Sequence, residues 1–516
     1  MGAFLLFYNA GYYYLWGDEG VTAFYGKNTL RYGLPYGFDS RNLLEFSNGI
    51  YLNQIFLPLL DPWGQYYISA ASQSIFGMNS FGARALFIFF GLAAVFMQYC
   101  FALSYFKDRR LALINAALML TSVIYILYSR QSRYYSLGMF ICPLIAYLYT
   151  LFENHRNRII IISFVFVAFF LTNSLIGMAV LVAMAASFFI CDDRKKALAF
   201  FLKPIPILVL TVGIFLLWLY SYGIPANPNF LKNIHPSDFI RIFYLYFKDY
   251  NETQLLPLGM LMILLLMWVK QGAFSGLNGF LQVRKELSII LFVVITTIII
   301  SIISPQLSNA EHSDIRYATP IFPFLFLVQA FVINRIYLWK KFIALLLLVI
   351  VIGTNLLTFM PFRSYLIEFA YENIRPFDNS VKVAVQYLEK RIHKDDIIFV
   401  SPNHMLGSME FHLGDKALFC NVIGEDNKNL LAAGVKLPKY IYSSDTVPDW
   451  IVFYGLSSDL THTARHLRKL DFSKFNTHLL PIYGPDVSRP ELFWRSFEPI
   501  TNYRREQGLI ILERIK

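Results

Sequence analysis

Charge is what this chain has least of. Lys, Arg, Asp and Glu make up 15% of its 516 residues, whereas 56% are hydrophobic and 17% aromatic, with mean hydropathy +0.48. A water-soluble chain cannot hide that much apolar surface, which excludes an ordinary globular protein and leaves a polytopic membrane protein. Cysteine is also scarce. Cys100, Cys142 and Cys191 lie in or at the ends of apolar runs and Cys420 stands alone, so neither a disulfide framework nor a cysteine metal spacing is present. The net charge of +11 comes from short basic clusters between apolar runs, the positive-inside pattern, and no nucleic-acid partner is expected. No cleavable signal peptide is visible. The opening apolar run is short and no basic residue precedes it, so the natural start is expected to lie slightly upstream.

Apolar runs suited to crossing a membrane fall at about 1–15, 82–106, 111–128, 136–152, 159–173, 175–191, 201–222, 254–270, 287–304, 317–334 and 342–360, an expectation of about 11 spans. Lys107/Arg109/Arg110, Arg156/Arg158, Arg194/Lys195/Lys196, Lys270/Arg284/Lys285 and Arg335/Lys340/Lys341 occupy alternate loops and are assigned to the cytoplasmic side. The N-terminus is then inside. The loops at 129–135, 223–253 and 305–316, Asp18 and Glu19, and everything after about 361 are extracytoplasmic, in an inner (plasma) membrane.

Between the first two runs, Val21, Phe24, Tyr25 and Leu30 recur at helical spacing, as do Trp63, Tyr66, Tyr67 and Ala70. These predict short amphipathic helices lying in the interface within the 16–81 loop. After Pro361 the composition changes, dividing the chain into a membrane domain, 1–360, and a soluble α/β domain, 361–516. There Ser380–His393 reads as an amphipathic helix, 396–400, 449–454 and 508–512 as strands, and 459–470 as a helix. No GxGxxG or P-loop spacing suggests a nucleotide site.

The stretch Trp16-Gly-Asp-Glu-Gly20 puts two carboxylates directly after the first apolar run. Such an acid beside a cleft could take a proton from an incoming hydroxyl; equally, Asp18 and Glu19 could simply mark the wet end of the run. In Ser129-Arg-Gln-Ser-Arg-Tyr-Tyr135, Arg130 and Arg133 stand three apart, which on a helix sets them on one face. Two guanidiniums side by side suit a phosphate oxyanion, although both could snorkel to lipid headgroups. Arg84 and the cluster His312-Ser-Asp-Ile-Arg-Tyr317 add basic positions on the same side. Asp61 is a second candidate acid or the N-cap of the helix that Pro62 begins. Any divalent-cation site, for Mg²⁺ or Mn²⁺, would have to be carboxylate-based.

Together these motifs resemble the GT-C glycosyltransferases that use polyprenyl-phosphate sugars, the protein O-mannosyltransferase-like enzymes and lipid A aminoarabinose transferases among them. The acidic pair after the first run is similar to their first external loop. Asp61-Pro-Trp-Gly-Gln-Tyr-Tyr67 is similar to their His-or-Lys-Pro-Pro-Leu-Tyr-Tyr loop, with Asp61 at a commonly basic position and Trp63-Gly64 replacing Pro-Leu. Ser129–Leu137 resembles Ser-Arg-x-x-Arg-x-Tyr-x-Leu, and Arg316-Tyr-Ala-Thr-Pro320 their late Arg-Tyr-x-x-Pro. The resemblance implies an inverting transfer from an undecaprenyl or dolichyl phosphate-linked sugar to a lipid, glycan or protein. It makes Asp18 the general base, with Glu19 orienting the acceptor, assisting a metal or holding the loop, and Asp61 orienting the acceptor or assisting a metal. Arg84, Arg130, Arg133, Tyr134, Arg316 and Tyr317 would bind the donor phosphate, with His312 a further candidate. Rival readings are an O-antigen polymerase or ligase, which would more typically carry a large late loop, and a flippase, which would carry charges within spans. An envelope-assembly scaffold is the non-enzymatic rival.

Overall fold

Apolar chain in lipid must satisfy its own backbone N–H and C=O groups, so the long runs become helices. The computed structural model describes residues 2–44, 52–53, 55–58, 62–152, 156–221, 236–272, 277–307, 313–358, 364–402, 405–420, 437–442, 446–454, 470–483 and 504–515. The chain opens with α1 (Gly2–Phe7), α2 (Gly17–Tyr32), α3 (Gly64–Phe76) and α4 (Ser80–Phe106). Then follow α5 (Arg109–Thr121), α6 (Val123–Ser129), α7 (Tyr135–Thr150), α8 (Arg156–Cys191), α9 (Arg194–Leu202) and α10 (Ile205–Ser221). Next come α11 (Pro236–Glu252), α12 (Leu258–Gly272), α13 (Leu277–Leu307), a 3-10 turn at Ile315–Ile321, α14 (Phe322–Trp339) and α15 (Lys341–Gly353).

Among the described residues, five helical stretches are long and apolar enough to cross a membrane, or six if α5 and α6, bent by 71°, are one span. The count of eleven expected from the sequence is not confirmed by these described helices. Run 1–15 yields only the six-residue α1, roughly 9 Å long at 1.5 Å per residue. Asn9 has φ 56° and donates to the Asn373 carbonyl at 2.6 Å, which ends the helix. Runs 159–173 and 175–191 form the two limbs of α8, which meet at a kink with non-helical backbone at Ser174 (φ 39°, ψ −115°). Tyr135–Thr150, Leu258–Met267 and Lys341–Gly353 are apolar but short.

The basic clusters do gather at one end. Lys285 donates to the Tyr105 carbonyl at 2.7 Å, Arg284 to Asp192 O at 3.3 Å and Lys196 to Thr150 O at 3.4 Å. Asn334 reaches Asp108 at 2.8 Å, and Arg335 pairs with buried Glu286. Helices α4 and α14 each run from Arg84 or the Arg316 turn toward that end, so the candidate site lies at the opposite one.

The remaining elements are α16 (Tyr365–Ile374), α17 (Ser380–Glu389), β1 (Ile397–Ser401), α18 (Leu406–Leu413), β2 (Leu418–Phe419), β3 (Trp450–Tyr454), β4 (Phe475–Tyr483) and β5 (Arg505–Arg514). The strands form one mixed sheet in the order β2-β1-β3-β5-β4. Strand β1 is parallel to β2 and β3, whereas β5 is antiparallel to β3 and β4. The three strands read from sequence correspond to β1, β3 and β5. The helix expected at 459–470 lies outside the described residues but for Leu470.

Helix α2 is enclosed by protein: Glu19, Thr22, Lys27, Asn28 and Thr29 are all buried, because α3 covers one side and α18 the other. Helix α3 keeps its two faces, Tyr66 and Ala70 inward and Tyr67 and Ile75 outward. The contact with α18 is close because Gly20 and Gly407 have no side chains. A Cβ on Gly20 would stand 2.3 Å from Ser408 N and 2.4 Å from its Cα, and one on Gly407 2.9 Å from Val21 N. Lys27 pairs with Asp415 at 2.9 Å, and Asn42 bridges Gly414 O at 3.1 Å and Phe419 N at 2.9 Å. Gly20→Ala is expected to lower stability by about 1–3 kcal/mol, since backbone and not a side-chain tip must move; thermal unfolding in detergent measures it, and an unchanged melting temperature would contradict the contact.

Glu410 on α18 is fully buried, and neither carboxylate oxygen has a hydrogen-bond partner among the described residues. Burial pushes its carboxyl well above the ordinary 4.5 and pulls the imidazole of His412, stacked on Tyr14 at 4.2 Å, down to about 3. A carboxyl that stays protonated when folded but ionises when unfolded lowers stability as pH rises. The melting temperature of Glu410→Gln should therefore gain on the native protein as pH increases above about 4.5, and a gap that narrows with pH would refute this.

Candidate active site

Helix α2 begins with its two acids in the first turn, where the partial positive charge of the N-terminus favours carboxylates. Consecutive helical residues point roughly 100° apart, and the two acids meet different partners. Glu19 is fully buried and forms a two-pronged pair with Arg84, Nε to Oε1 at 2.8 Å and Nη2 to Oε2 at 2.5 Å. It also accepts from the Ser132 backbone N–H at 2.8 Å. The Nη1 of Arg84 donates to the carbonyls of Ala10 and Tyr13, both at 2.7 Å. Glu19 and Arg84 spend these hydrogen bonds on each other and on backbone, tying α2, α4, the 8–15 segment and the α6–α7 corner together.

Asp18 is the more accessible acid, with 20% of its side chain exposed. Its Oδ2 lies 2.7 Å from Arg316 Nη1 and 3.5 Å from Arg133 Nη2. The Nη1 of Arg133 donates to the Thr22 hydroxyl at 3.3 Å, one turn along α2. Arg316 is gripped from behind by Asp314, a 1% exposed carboxylate reached by Nε at 2.8 Å and Nη2 at 2.6 Å. Asp314 also accepts from the Arg316 backbone N–H at 3.2 Å, capping the 3-10 turn. Arg133 stacks over Tyr134 at 5.4 Å and Arg316 over Tyr317 at 6.0 Å. Tyr134 is itself held by a backbone bond to buried Gln65 at 3.3 Å.

Arg130 parts company with Arg133. Helix α6 ends at Ser129 and α7 starts at Tyr135, so the two arginines sit on a corner, not on one helical face. Arg130 turns to α16, bonding Asn373 Oδ1 at 3.2 Å and lying over Phe369 at 5.7 Å, and to the Tyr8 carbonyl at 3.1 Å. With Tyr13, Glu19, Arg84, Leu127 and Gln131 it lines a cavity of about 20 Å³, room for a water molecule. Asp61 and His312 lie outside the described residues. Among the described residues no group of three or more His, Cys, Asp and Glu side chains could hold a metal ion.

Sequence reasoning passed over Asp314, although it stands two residues from Arg316 in a quoted motif. It also passed over Asn373 and Phe369, whose link to Arg130 crosses more than two hundred residues and leaves no local signal. Asp249 on α11 is a fourth: it accepts from the Ser313 hydroxyl, and burial pushes its carboxyl up to about 6.

These features set a carboxylate between arginines at one end of a group of long apolar helices, a fold shared with solved structures of a transferase. ArnT from Cupriavidus metallidurans bound to undecaprenyl phosphate superposes with a TM-score of 0.57 at 13% identity, over 99% of this chain and 96% of that one. The same protein in the apo state gives 0.56 at 14% identity, over 98% and 95%. The oligosaccharyltransferase of Archaeoglobus fulgidus in complex with Zn and sulfate gives 0.46 at 10% identity, over 88% of this chain and 67% of that one. No protein-family model matches the sequence, and no curated protein sequence matches it.

The two acids of α2 should behave oppositely when neutralised. Glu19→Gln leaves a buried guanidinium facing no charge and should cost about 3–5 kcal/mol, whereas Asp18→Asn, at an acid 20% exposed, should cost clearly less. Thermal unfolding of the purified variants reads both, and the reverse order would refute the assignment.

Proposed function

We propose that this chain is an integral-membrane inverting glycosyltransferase, moving a sugar from a polyprenyl-phosphate donor to a lipid, glycan or protein acceptor. The observation that carries the reading is the Asp18 carboxylate lying between the Arg133 and Arg316 guanidiniums, on a fold whose neighbour ArnT was crystallised bound to undecaprenyl phosphate.

In this reading the acceptor hydroxyl attacks the anomeric carbon from the face opposite the phosphate. Its proton passes to Asp18 as the new C–O bond forms. The bond from the anomeric carbon to the phosphate oxygen breaks with its electron pair, and the configuration inverts. The phosphate changes from a singly charged diester to a monoester, and Arg133 and Arg316 meet the charge it gains. Tyr134 and Tyr317 flank these guanidiniums. Glu19, Arg84 and Asp314 hold the set in register. Arg130 fastens α16 to the α6–α7 corner, close enough to the Glu19–Arg84 pair to line the same cavity. Residues 1–360 supply this machinery and 361–516 an extracytoplasmic α/β layer. The basic clusters at the far end favour a site facing away from the cytoplasm, in the plasma membrane.

The test compares envelope lipids and glycans by mass spectrometry in cells with the native protein, without it, and with Asp18→Asn. One sugar unit should be missing in the last two. Transfer by Asp18→Asn should fall by about 10²–10⁴, as for loss of a general base. A variant that accumulates normally and still transfers would overturn the proposal.

A further inference from the structure

We propose that Asp18 and the donor phosphate compete for the same guanidinium edges, so that arrival of the donor releases the base and the donor binds before the acceptor. This rests on the glycosyl-transfer reading above.

Among the described residues, two arginines and two aspartates meet here: Arg133, Arg316, Asp18 and Asp314. The two acids are held very differently. Asp314 is 1% exposed and meets Arg316 through Nε, Nη2 and the backbone N–H at 2.8, 2.6 and 3.2 Å. Asp18 is 20% exposed and uses one oxygen only, at 2.7 Å from Arg316 and 3.5 Å from Arg133. The longer of these exceeds the usual 2.7–2.9 Å of a charge-assisted hydrogen bond. Displacing the solvated, one-oxygen acid costs far less than stripping the buried, two-pronged one. An incoming phosphate therefore exchanges with Asp18, while Asp314 keeps Arg316 in place with Nη1 turned to the site.

The exchange has a chemical consequence. While Oδ2 accepts from Arg316, the guanidiniums offset the charge of the whole carboxylate, so an alcohol proton is drawn less strongly to either oxygen. Once the phosphate takes the Nη1 of Arg316 and the Nη2 of Arg133, Oδ2 is free beside a new negative charge. Accepting the acceptor's proton then relieves the repulsion between the two anions. An acceptor that arrives first meets a base already engaged by two cations.

Binding of undecaprenyl phosphate to the full-length protein in detergent, followed by isothermal titration, tests this. Asp18→Asn should bind it about five- to tenfold tighter than the native protein, because a competing anion is gone, and Arg316→Gln should bind it more weakly by at least as much. Should the Asn variant fail to accumulate, Asp18→Ala is expected to shift affinity the same way. If the Arg316 variant binds weakly but both Asp18 variants bind no tighter than native, the exchange is overturned and the phosphate site stands. If Arg133→Gln and Arg316→Gln bind as native does, the phosphate site and the exchange fall together.

Discussion

The buried pair of Glu19 and Arg84 sets the geometry of everything near it. Its two charge-assisted bonds, a third from the Ser132 backbone and two from Arg84 to carbonyls join four stretches of chain at the start of α2. A pair removed from water contributes little net stability but is costly to break, and that asymmetry suits a residue whose task is register. With Glu19 committed inward, the helical twist turns Asp18 toward Arg133 and Arg316. Neighbouring acids thereby take different work, one holding and one facing the site.

Around that point the chain converges from remote places. Arg133 comes from the corner after α6, Arg316 from the turn before α14, and Asp314 grips Arg316 from behind. The C-terminal layer takes part as well. Ser408 donates to the Leu15 carbonyl, Asn379 to Tyr14 O at 3.0 Å, and α18 lies against α2 at glycine-to-backbone distance. Helix α16 holds Arg130 through Asn373 and Phe369. The sheet-bearing part is thus fastened to the segment that carries Asp18, which explains why α2 is buried rather than laid on a surface.

Several features were legible in the residues. Hydropathy announced the membrane class, and the motifs around Asp18, Arg133 and Arg316 named residues that do meet. The strands around Ile398, Ile451 and Ile511 were readable from short apolar runs. Other features were not. The extent of the first helix is one: run 1–15 forms only a short helix, with Asn9 at positive φ just beyond it. The amphipathic spacing of α2 gave a helix but not its surroundings, since periodicity is silent on what covers the polar face. A spacing of three puts Arg130 and Arg133 on one face only if the helix continues, and here it stops at Ser129.

By itself the sequence determined the solvent each stretch prefers, the residue types near the site and the resemblance to GT-C enzymes, because these follow from composition, period and local motif. Only the tertiary structure decided which acid faces the arginines, that Arg84 is engaged by Glu19 and that Asp314 secures Arg316. Those outcomes depend on side chains up to about three hundred positions apart competing for the same few hydrogen bonds, and such competition is resolved by packing, which local sequence does not encode.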